Sequence, residues 1–160
     1  MKRAIILLLS LLLALTLTSC SSKKYSDGIS CRELSESLIG DDTEDYSRYG
    51  EDYLDFFFDG AALCDDFEII YSTEVNDIDE LGIFHLAEGS DPEELSALAE
   101  SYLSEMREGK SAFIGSYAPE ELPKLERAEV RRFGNYVIYA IMDSEDRAEV
   151  FRKIEERLLA

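Results

Sequence analysis

The fold is decided by residues 129–142, EVRRFGNYVIYAIM. Both halves of this stretch are rich in β-branched and aromatic residues, and Gly134-Asn135 between them is a favoured two-residue turn of a β-hairpin. The stretch therefore predicts antiparallel strands over 129–133 and 136–142. The second strand is apolar almost without interruption, which predicts a central strand that is buried on both faces.

Residue types and apolar patterns in the rest of the chain predict the other strands and helices. Residues 67–72 and 81–87 are β-branched and aromatic and are joined by a polar connection, so they predict two more strands. Helices are predicted over 30–39, from 92 to 108, and after residue 144. From the first of these strands the order is β-β-α-β-β-α. This order predicts an α+β fold, in which an antiparallel sheet of about four strands has helices packed on one face and is preceded by the N-terminal helix.

The helix from residue 92 has the clearest start signal in the chain. Asp91 is an N-cap residue, and Pro92 fits the first helical position, where its missing N–H costs nothing. One apolar stripe then repeats at intervals of three or four residues, formed by Leu95, Leu98, Tyr102 and Met106. Gly109 predicts the end of the helix, so residues 109–118 are predicted to form a loop.

The N-terminus predicts a lipoprotein signal sequence over residues 1–19. Lys2 and Arg3 form a positive segment, and an apolar run over residues 5–17 follows. This run is too short for a membrane span, which needs about 20 residues. Residues 17–20, LTSC, match a lipobox, in which two small residues precede a cysteine that receives a diacylglyceryl group. Cys20 is therefore predicted to be the lipid-bearing first residue of the mature chain.

Lipidation of Cys20 predicts a protein that is anchored to the outer face of the cell membrane, because two acyl chains give stable binding. Residues 20–29 are predicted to be the lipidated cysteine and a polar tether, and residues 30–160 to be one domain. A tether of this length keeps the domain within about 30 Å of the bilayer, at roughly 3.3 Å per extended residue. The expected partners are the membrane, through the lipid, and a protein of the cell envelope.

The charge of the chain excludes one class of partner. The sequence has 35 acidic and 16 basic residues, a net charge of −19 that becomes −21 once Lys2 and Arg3 are removed. Nucleic-acid binding is not expected, because it depends on neutralising phosphates with lysine and arginine. The acidic residues are spread along a chain that is 46% hydrophobic, so we expect an acidic folded domain rather than a disordered tail.

The sequence contains no pattern that predicts catalytic, cofactor-binding or metal-binding residues. His85 is the only histidine; it lies within a predicted strand, and we expect it to be a partly buried structural residue. A structural zinc site needs four cysteine or histidine ligands, which the chain cannot supply. Besides Cys20, the cysteines are Cys31 and Cys64. They form either a disulfide, which an extracytoplasmic location allows, or two buried free thiols.

Three short motifs resemble those of a known family: DELGIF over 79–84, FIGSYAPE over 113–120 and GNYV over 134–137. With the lipobox and the element order, they resemble the Gram-positive lipoproteins grouped as domain of unknown function 4358 (DUF4358), over roughly residues 30–157. The family has no established activity or site. The resemblance therefore implies a lipoprotein and the α+β fold, and no functional residue is carried over.

Two functions are open at this point. The first is a non-catalytic interaction or accessory module at the cell surface, which binds a partner through exposed aromatic residues in an acidic setting. The tyrosines predicted for that surface are Tyr46, Tyr49, Tyr53 and Tyr117. The alternative is a hydrolase that acts on cell-envelope material through paired carboxylates, although no pair stands out in the sequence.

Overall fold

Five antiparallel strands form a sheet in the computed structural model, which describes residues 23–39, 45–54 and 60–159. The elements of the described chain are α1 (Cys31–Ile39), β1 (Tyr46–Arg48), the single turn α2 (Glu51–Tyr53), β2 (Cys64–Ser72), β3 (Glu80–Leu86), α3 (Pro92–Tyr117), α4 (Leu122–Glu126), β4 (Glu129–Phe133), β5 (Tyr136–Ile141) and α5 (Ser144–Leu158), with a 3₁₀ turn (Ala61–Leu63) before β2. The α+β class is confirmed. The sheet has five strands rather than about four, because the short strand β1 extends its edge.

The strands lie in the order β1-β2-β3-β5-β4. The predicted hairpin of β4 and β5 is confirmed: Phe133 pairs with Tyr136 across a turn in which Gly134 has a φ of +61°. Residue Glu80 of β3 pairs with Ile141 of β5, so the start of β3 and the end of β5 lie at the same end of the sheet. We call this the Glu80 end. The opposite end, which carries the β4–β5 turn, is the Gly134 end.

Helices cover both faces of the sheet, which corrects the expectation that they pack on one face. Along β5 the side chains alternate, so Val137 and Tyr139 join the core beneath α3, whereas Ile138 and Ala140 join the core beneath α1 and α5. Every residue of β5 is buried, as predicted for a central strand. A strand that is apolar on both sides needs a cover on both sides, since each exposed face would leave apolar surface in water.

Helix α3 is 26 residues long and continues through the segment predicted to be a loop. The predicted start of α3 is confirmed, because the Asp91 side chain accepts a hydrogen bond from the Glu93 backbone N–H at 2.9 Å. Gly109 does not end the helix. Its cost in a helix interior is about 1 kcal/mol, and burial of Ile114 one turn and a half later offsets it, since burying such a side chain contributes about 1.5–3 kcal/mol.

Residues 23–29, which belong to the predicted tether, pack against the domain at the Gly134 end. The backbone N–H of Ser26 donates to the Leu158 carbonyl at 2.8 Å, and the Tyr25 hydroxyl donates to Glu155 at 2.9 Å. Tyr25 also lies so close to the β4–β5 turn that a Cβ on Gly134 would be 2.9 Å from the Cβ of Tyr25. The chain is therefore held to the domain from Lys23 onward, whose ammonium group contacts Glu155.

The two cysteines of the described chain are free. Cys31 is buried at the start of α1, and burial raises the pKa of its thiol well above the usual range. Burial likewise raises the pKa of the Cys64 thiol to about 11. Both thiols are therefore protonated at neutral pH, and a thiol in that state is a poor nucleophile. No helix among the described residues is both long and apolar enough to span a bilayer.

Candidate binding site

A cavity of about 260 Å³ opens at the Glu80 end, between the sheet and the second half of α3. Tertiary structure assembles it from distant parts of the chain: the end of β2, the β2–β3 connection, the start of β3, and α3 after Leu103. Its aliphatic walls are formed by Ile78, Met106, Ile114, Leu125 and Ile141. Ligand cavities for drug-sized molecules measure about 300–1,000 Å³, so this one suits a group about the size of a large side chain.

An aromatic stack forms one side of the cavity. Tyr49 lies between Tyr53 and Tyr71, with ring centroids 3.7 Å and 4.3 Å away, and Tyr49 and Tyr71 line the space. The backbone places Tyr49 there, because its N–H donates to the Ile69 carbonyl at 3.0 Å as the chain leaves β1. Phe113 of α3 also lines the cavity. A group that enters the cavity therefore meets aromatic rings contributed by the sheet edge and by α3.

A buried carboxylate lies at the base of the cavity. Glu80 is 6% exposed, and the hydroxyls of Tyr102 and Tyr139 both donate to its Oε1 atom at 2.6 Å. The Tyr53 hydroxyl lies 3.0 Å from that of Tyr102, which extends the hydrogen-bonded chain to the aromatic stack. Burial raises the pKa of Glu80 above its usual value, and the two tyrosine hydrogen bonds oppose that rise. Carboxylates whose pKa is perturbed inside a cleft are candidates for function.

Gly82 explains how Tyr139 reaches this carboxylate. Tyr139 and Gly82 face each other across β5 and β3, and the tyrosine ring lies over the glycine. A Cβ at position 82 would be 2.6 Å from Cζ of that ring, closer than carbon atoms approach without displacement. The missing side chain therefore gives the ring room to cross toward Glu80.

Three further acids cluster around one lysine, and two of them, Asp77 and Asp79, line the cavity. The Lys124 ammonium lies 2.7 Å from Asp77, 2.8 Å from Asp79 and 2.8 Å from Glu121. Oxygen atoms of these acids lie within 4.8 Å of one another, which is close enough to hold a metal ion. The ammonium takes the place that a metal would occupy, so the cluster functions as an ion-paired brace between the β2–β3 connection and α4.

The two aspartates of this cluster have opposite pKa shifts. Burial raises the pKa of Asp79 to about 6, although hydrogen bonding to Lys124 opposes the rise. Burial also acts on Asp77, but hydrogen bonds from Lys124 and Ser72 outweigh it and hold the pKa of that carboxyl below its usual range. The charge of Lys124 is therefore shared unequally, and Asp79 is the carboxyl of the pair that protonates first as the pH falls.

An exposed aromatic pair lies beside the cavity. Phe113 and Tyr117 are one turn apart on α3, 65% and 70% exposed, with ring centroids 4.6 Å apart. Only four large hydrophobic residues of the described chain are exposed, and these two are the ones that contact each other. Phe113 belongs both to this pair and to the cavity wall, so the surface patch and the cavity are continuous.

The structure separates the four tyrosines predicted for a partner surface. Tyr117 is exposed on α3, whereas Tyr49 and Tyr53 are partly buried in the aromatic stack, and Tyr46 packs on the opposite face of the sheet near α1. Cys20 and the phenylalanines at 56–58 lie outside the described residues. The tyrosines predicted for one surface are therefore divided among the cavity wall, the edge strand β1 and the exposed face of α3.

His85 is partly buried on β3, and its Nδ1 atom lies 2.6 Å from Asp65 on the neighbouring strand. Its ring also packs on Tyr136, with centroids 4.7 Å apart. The sequence could not reveal the Asp65 contact, because strand pairing brings together residues that are 20 positions apart. The cavity residues Glu80 and Lys110 were missed as well, and so was Lys124, which holds the acid cluster together. For Glu80 a signal existed: the two-residue period of a strand places it on the same face of β3 as Phe84, although the strand was predicted to begin only at residue 81.

Comparison with known proteins identifies one family. The family model described as a domain of unknown function, DUF4358, matches residues 60–142, more than half of the chain. These residues run from the 3₁₀ turn to just beyond β5 and include Glu80 and Phe113, whereas Tyr49 lies before them. No curated protein and no solved structure is significantly similar to the chain.

Proposed function

This chain belongs to the DUF4358 family, whose function is unassigned, and we propose that it is a lipid-anchored, extracytoplasmic, non-catalytic module that binds a partner through the Phe113–Tyr117 pair. The observation that carries the proposal is the exposure of two adjacent aromatic rings on one helix. Aromatic residues are enriched in protein interfaces, and exposed apolar patches mark such sites. Burying the exposed part of each ring against a partner would contribute about 2 kcal/mol.

Anchoring through Cys20 would fix which end of the domain faces the partner. Only Ser21 and Ser22 separate Cys20 from Lys23, where contact with the domain begins. A spacer this short reaches about 10 Å, at roughly 3.3 Å per residue. The Gly134 end would therefore lie next to the bilayer.

The long helix would then carry the aromatic pair away from the membrane. Glu93, near the start of α3, lies beside Lys23 and Tyr25 at the Gly134 end. The rise of about 1.5 Å per residue gives about 36 Å between Glu93 and Tyr117. The Phe113–Tyr117 pair and the mouth of the cavity would thus be presented to the envelope rather than to the lipid.

Site-specific photo-crosslinking in intact membranes tests this proposal. A photoreactive residue replaces Ser116, which is exposed and adjoins Tyr117 in α3, and the matched control carries it at Ala97, exposed in the first half of the same helix. We expect a discrete adduct from position 116 that is absent from position 97. The adduct should also disappear when Phe113→Ser and Tyr117→Ser are added. Equal adducts from both positions, or an adduct that survives loss of both rings, would refute the proposal.

A hydrolase remains the second candidate, because Asp77 and Asp79 line the cavity and their pKa values are shifted in opposite directions. Such a split assigns one carboxyl as acid and the other as base in many hydrolases. The measurement is hydrolysis of isolated envelope polymer by the purified protein and by its Asp79→Asn variant. Turnover by the unchanged protein that is lost in Asp79→Asn would favour the hydrolase over the binding module. If neither protein hydrolyses the polymer, the hydrolase is excluded.

A further inference from the structure

The negative charge of Glu80 is not needed for the hydrogen bonds that surround it. Tyr102 and Tyr139 donate to one carboxylate oxygen, and the amide oxygen of a glutamine would accept the same two bonds. A buried carboxylate is costly unless a cation neutralises it. Among the described residues, no salt bridge reaches Glu80. Lys110 at the rim acts on Glu80 electrostatically without forming a salt bridge to it, so an ammonium group that enters the cavity can pair with the carboxylate directly.

The hydrogen-bond geometry limits what that ligand can be. Both tyrosine hydrogen bonds in the described structure end on Oε1 of Glu80, so Oε2 is the oxygen left for a ligand. One oxygen suits a compact donor such as an ammonium group. A guanidinium group, by contrast, is matched by a carboxylate that offers both oxygens side by side.

The walls fit the remainder of such a ligand. The aromatic faces of Tyr49, Tyr71 and Phe113 attract cations within about 6 Å of a ring centroid. The aliphatic walls suit a chain of methylene groups, and the volume of about 260 Å³ suits one side-chain-sized group. The net charge of −19 adds a field that draws cations to the surface. Among the described residues that line the cavity, Lys110 is the one cation, and it is exposed.

We infer that this cavity binds a primary alkylammonium group, carried by a lysine side chain of a protein or by a free alkyl diamine. The inference rests on the proposed function, since it names the chemistry that the partner presents next to the Phe113–Tyr117 pair. The ammonium donates to Glu80, its methylene chain packs between Met106 and Ile114, and the aromatic rings surround the positive end.

Calorimetric titration of the full chain in non-ionic detergent tests the inference. The probes are cadaverine, Nα-acetyl-lysine amide, and the same amide acetylated on Nε, which keeps the shape and removes the charge. We expect the first two to bind and Nε acetylation to weaken binding at least tenfold. This comparison uses the unchanged protein, so it does not depend on how any variant folds. Equal binding of the charged and the acetylated amide would overturn the inference.

The variants locate the binding at Glu80. We expect Glu80→Gln to weaken binding at least tenfold, whereas Glu108→Gln, the same change of charge at an exposed position of α3, should alter it less than twofold. Lys110→Gln should tighten binding severalfold, because it removes a competing cation from the rim. Undiminished binding in Glu80→Gln, or weaker binding in Lys110→Gln, would mean that the cavity does not recognise an ammonium group in this way.

Two further comparisons are needed. The first distinguishes a protein lysine from a free diamine as the source of the ammonium group, and the second distinguishes failure of the ammonium site from failure of the proposed Phe113–Tyr117 surface. A peptide with an internal lysine that binds at least tenfold more tightly than cadaverine identifies a protein as the source, whereas equal affinities identify a free diamine. If no amine binds while the Ser116 adduct forms and depends on the rings, the ammonium site is wrong and the proposed function stands. If amines bind and no adduct forms, the proposed surface is wrong and the site stands.

Discussion

Replacement of Gly109 by alanine tests whether α3 runs through the segment that the sequence predicts to be a loop. Gly109 lies inside the helix, and a Cβ built there meets no atom within 4 Å other than those of the adjoining helix backbone and its chain neighbours. The methyl group therefore meets no steric obstacle. Alanine is favoured over glycine in a helix interior by about 0.5–1 kcal/mol. We expect Gly109→Ala to raise the free energy of unfolding by that amount.

Gly89 supplies a matched control. A Cβ at this position also has no atom within 4 Å, but the φ of Gly89 is +86°. An L-residue pays about 1–2 kcal/mol for left-handed backbone, so Gly89→Ala should lower the free energy of unfolding. The two variants add the same methyl group to open space and differ only in backbone conformation.

Urea unfolding followed by circular dichroism measures both changes, and the slope with urea should stay constant if only the native state is affected. For a domain of this size, 1 kcal/mol corresponds to a shift in Tm of roughly 3–5 °C. A loss of stability in Gly109→Ala as large as that in Gly89→Ala would refute the continuous helix. The cavity wall formed by Phe113 and Ile114 would then be wrong as well.

Three further outcomes are expected. Burial raises the pKa of Glu80 above its usual value, so the stability that its protonated form contributes is full below that usual value and is lost as the pH rises through the raised pKa. The Tm of Glu80→Gln should therefore increase relative to that of the unchanged protein as the pH is raised from about 4, and a difference that stays constant with pH would contradict this. Lys124→Met leaves three carboxylates without their cation and should cost about 3–5 kcal/mol in urea unfolding. Added Ca²⁺ should restore part of that loss in the variant alone, because the three acids lie within 4.8 Å of one another. Cys20→Ala should move the protein out of the membrane fraction or leave it unprocessed, and normal processing and anchoring of this variant would exclude lipidation.

Local signals in the sequence were reliable where they act within a few residues. The turn at Gly134 places the hairpin, and Asp91 caps α3 as expected. Ser30 also caps α1, because its hydroxyl accepts a hydrogen bond from the Glu33 backbone N–H at 3.1 Å. These are interactions between neighbours, so the types of nearby residues determine them.

Signals that depend on distant packing were misread. Gly109 ends a helix only if nothing beyond it packs, and here Ile114 packs under the sheet. The placement of helices on one face conflicted with the prediction that β5 is buried on both faces. The apolar run over 137–142 already required two covered faces, although which helix covers each face is decided by the whole chain.

The cavity was beyond the reach of sequence reasoning because its parts are joined only by tertiary contacts. The sequence predicts that Tyr49 is an exposed aromatic residue, yet the chain after β1 places its ring on Tyr71. Lys124 pairs with Asp77, which is 47 positions earlier in the chain. Only Glu80 carried a signal in the sequence, because the two-residue period of a strand places this acid on the same face as Phe84.

The approach of Tyr139 to Gly82 makes three positions depend on one another. If position 82 gained a side chain, the ring at 139 would move, and the acid at 80 would lose one of its two donors. These positions should therefore be inherited together: relatives that keep Glu, Gly and Tyr there should keep the cavity, and relatives that lose the glycine should lose the acid as well. The residues at positions 80, 82 and 139 of an alignment would then distinguish family members that have this site from members that lack it.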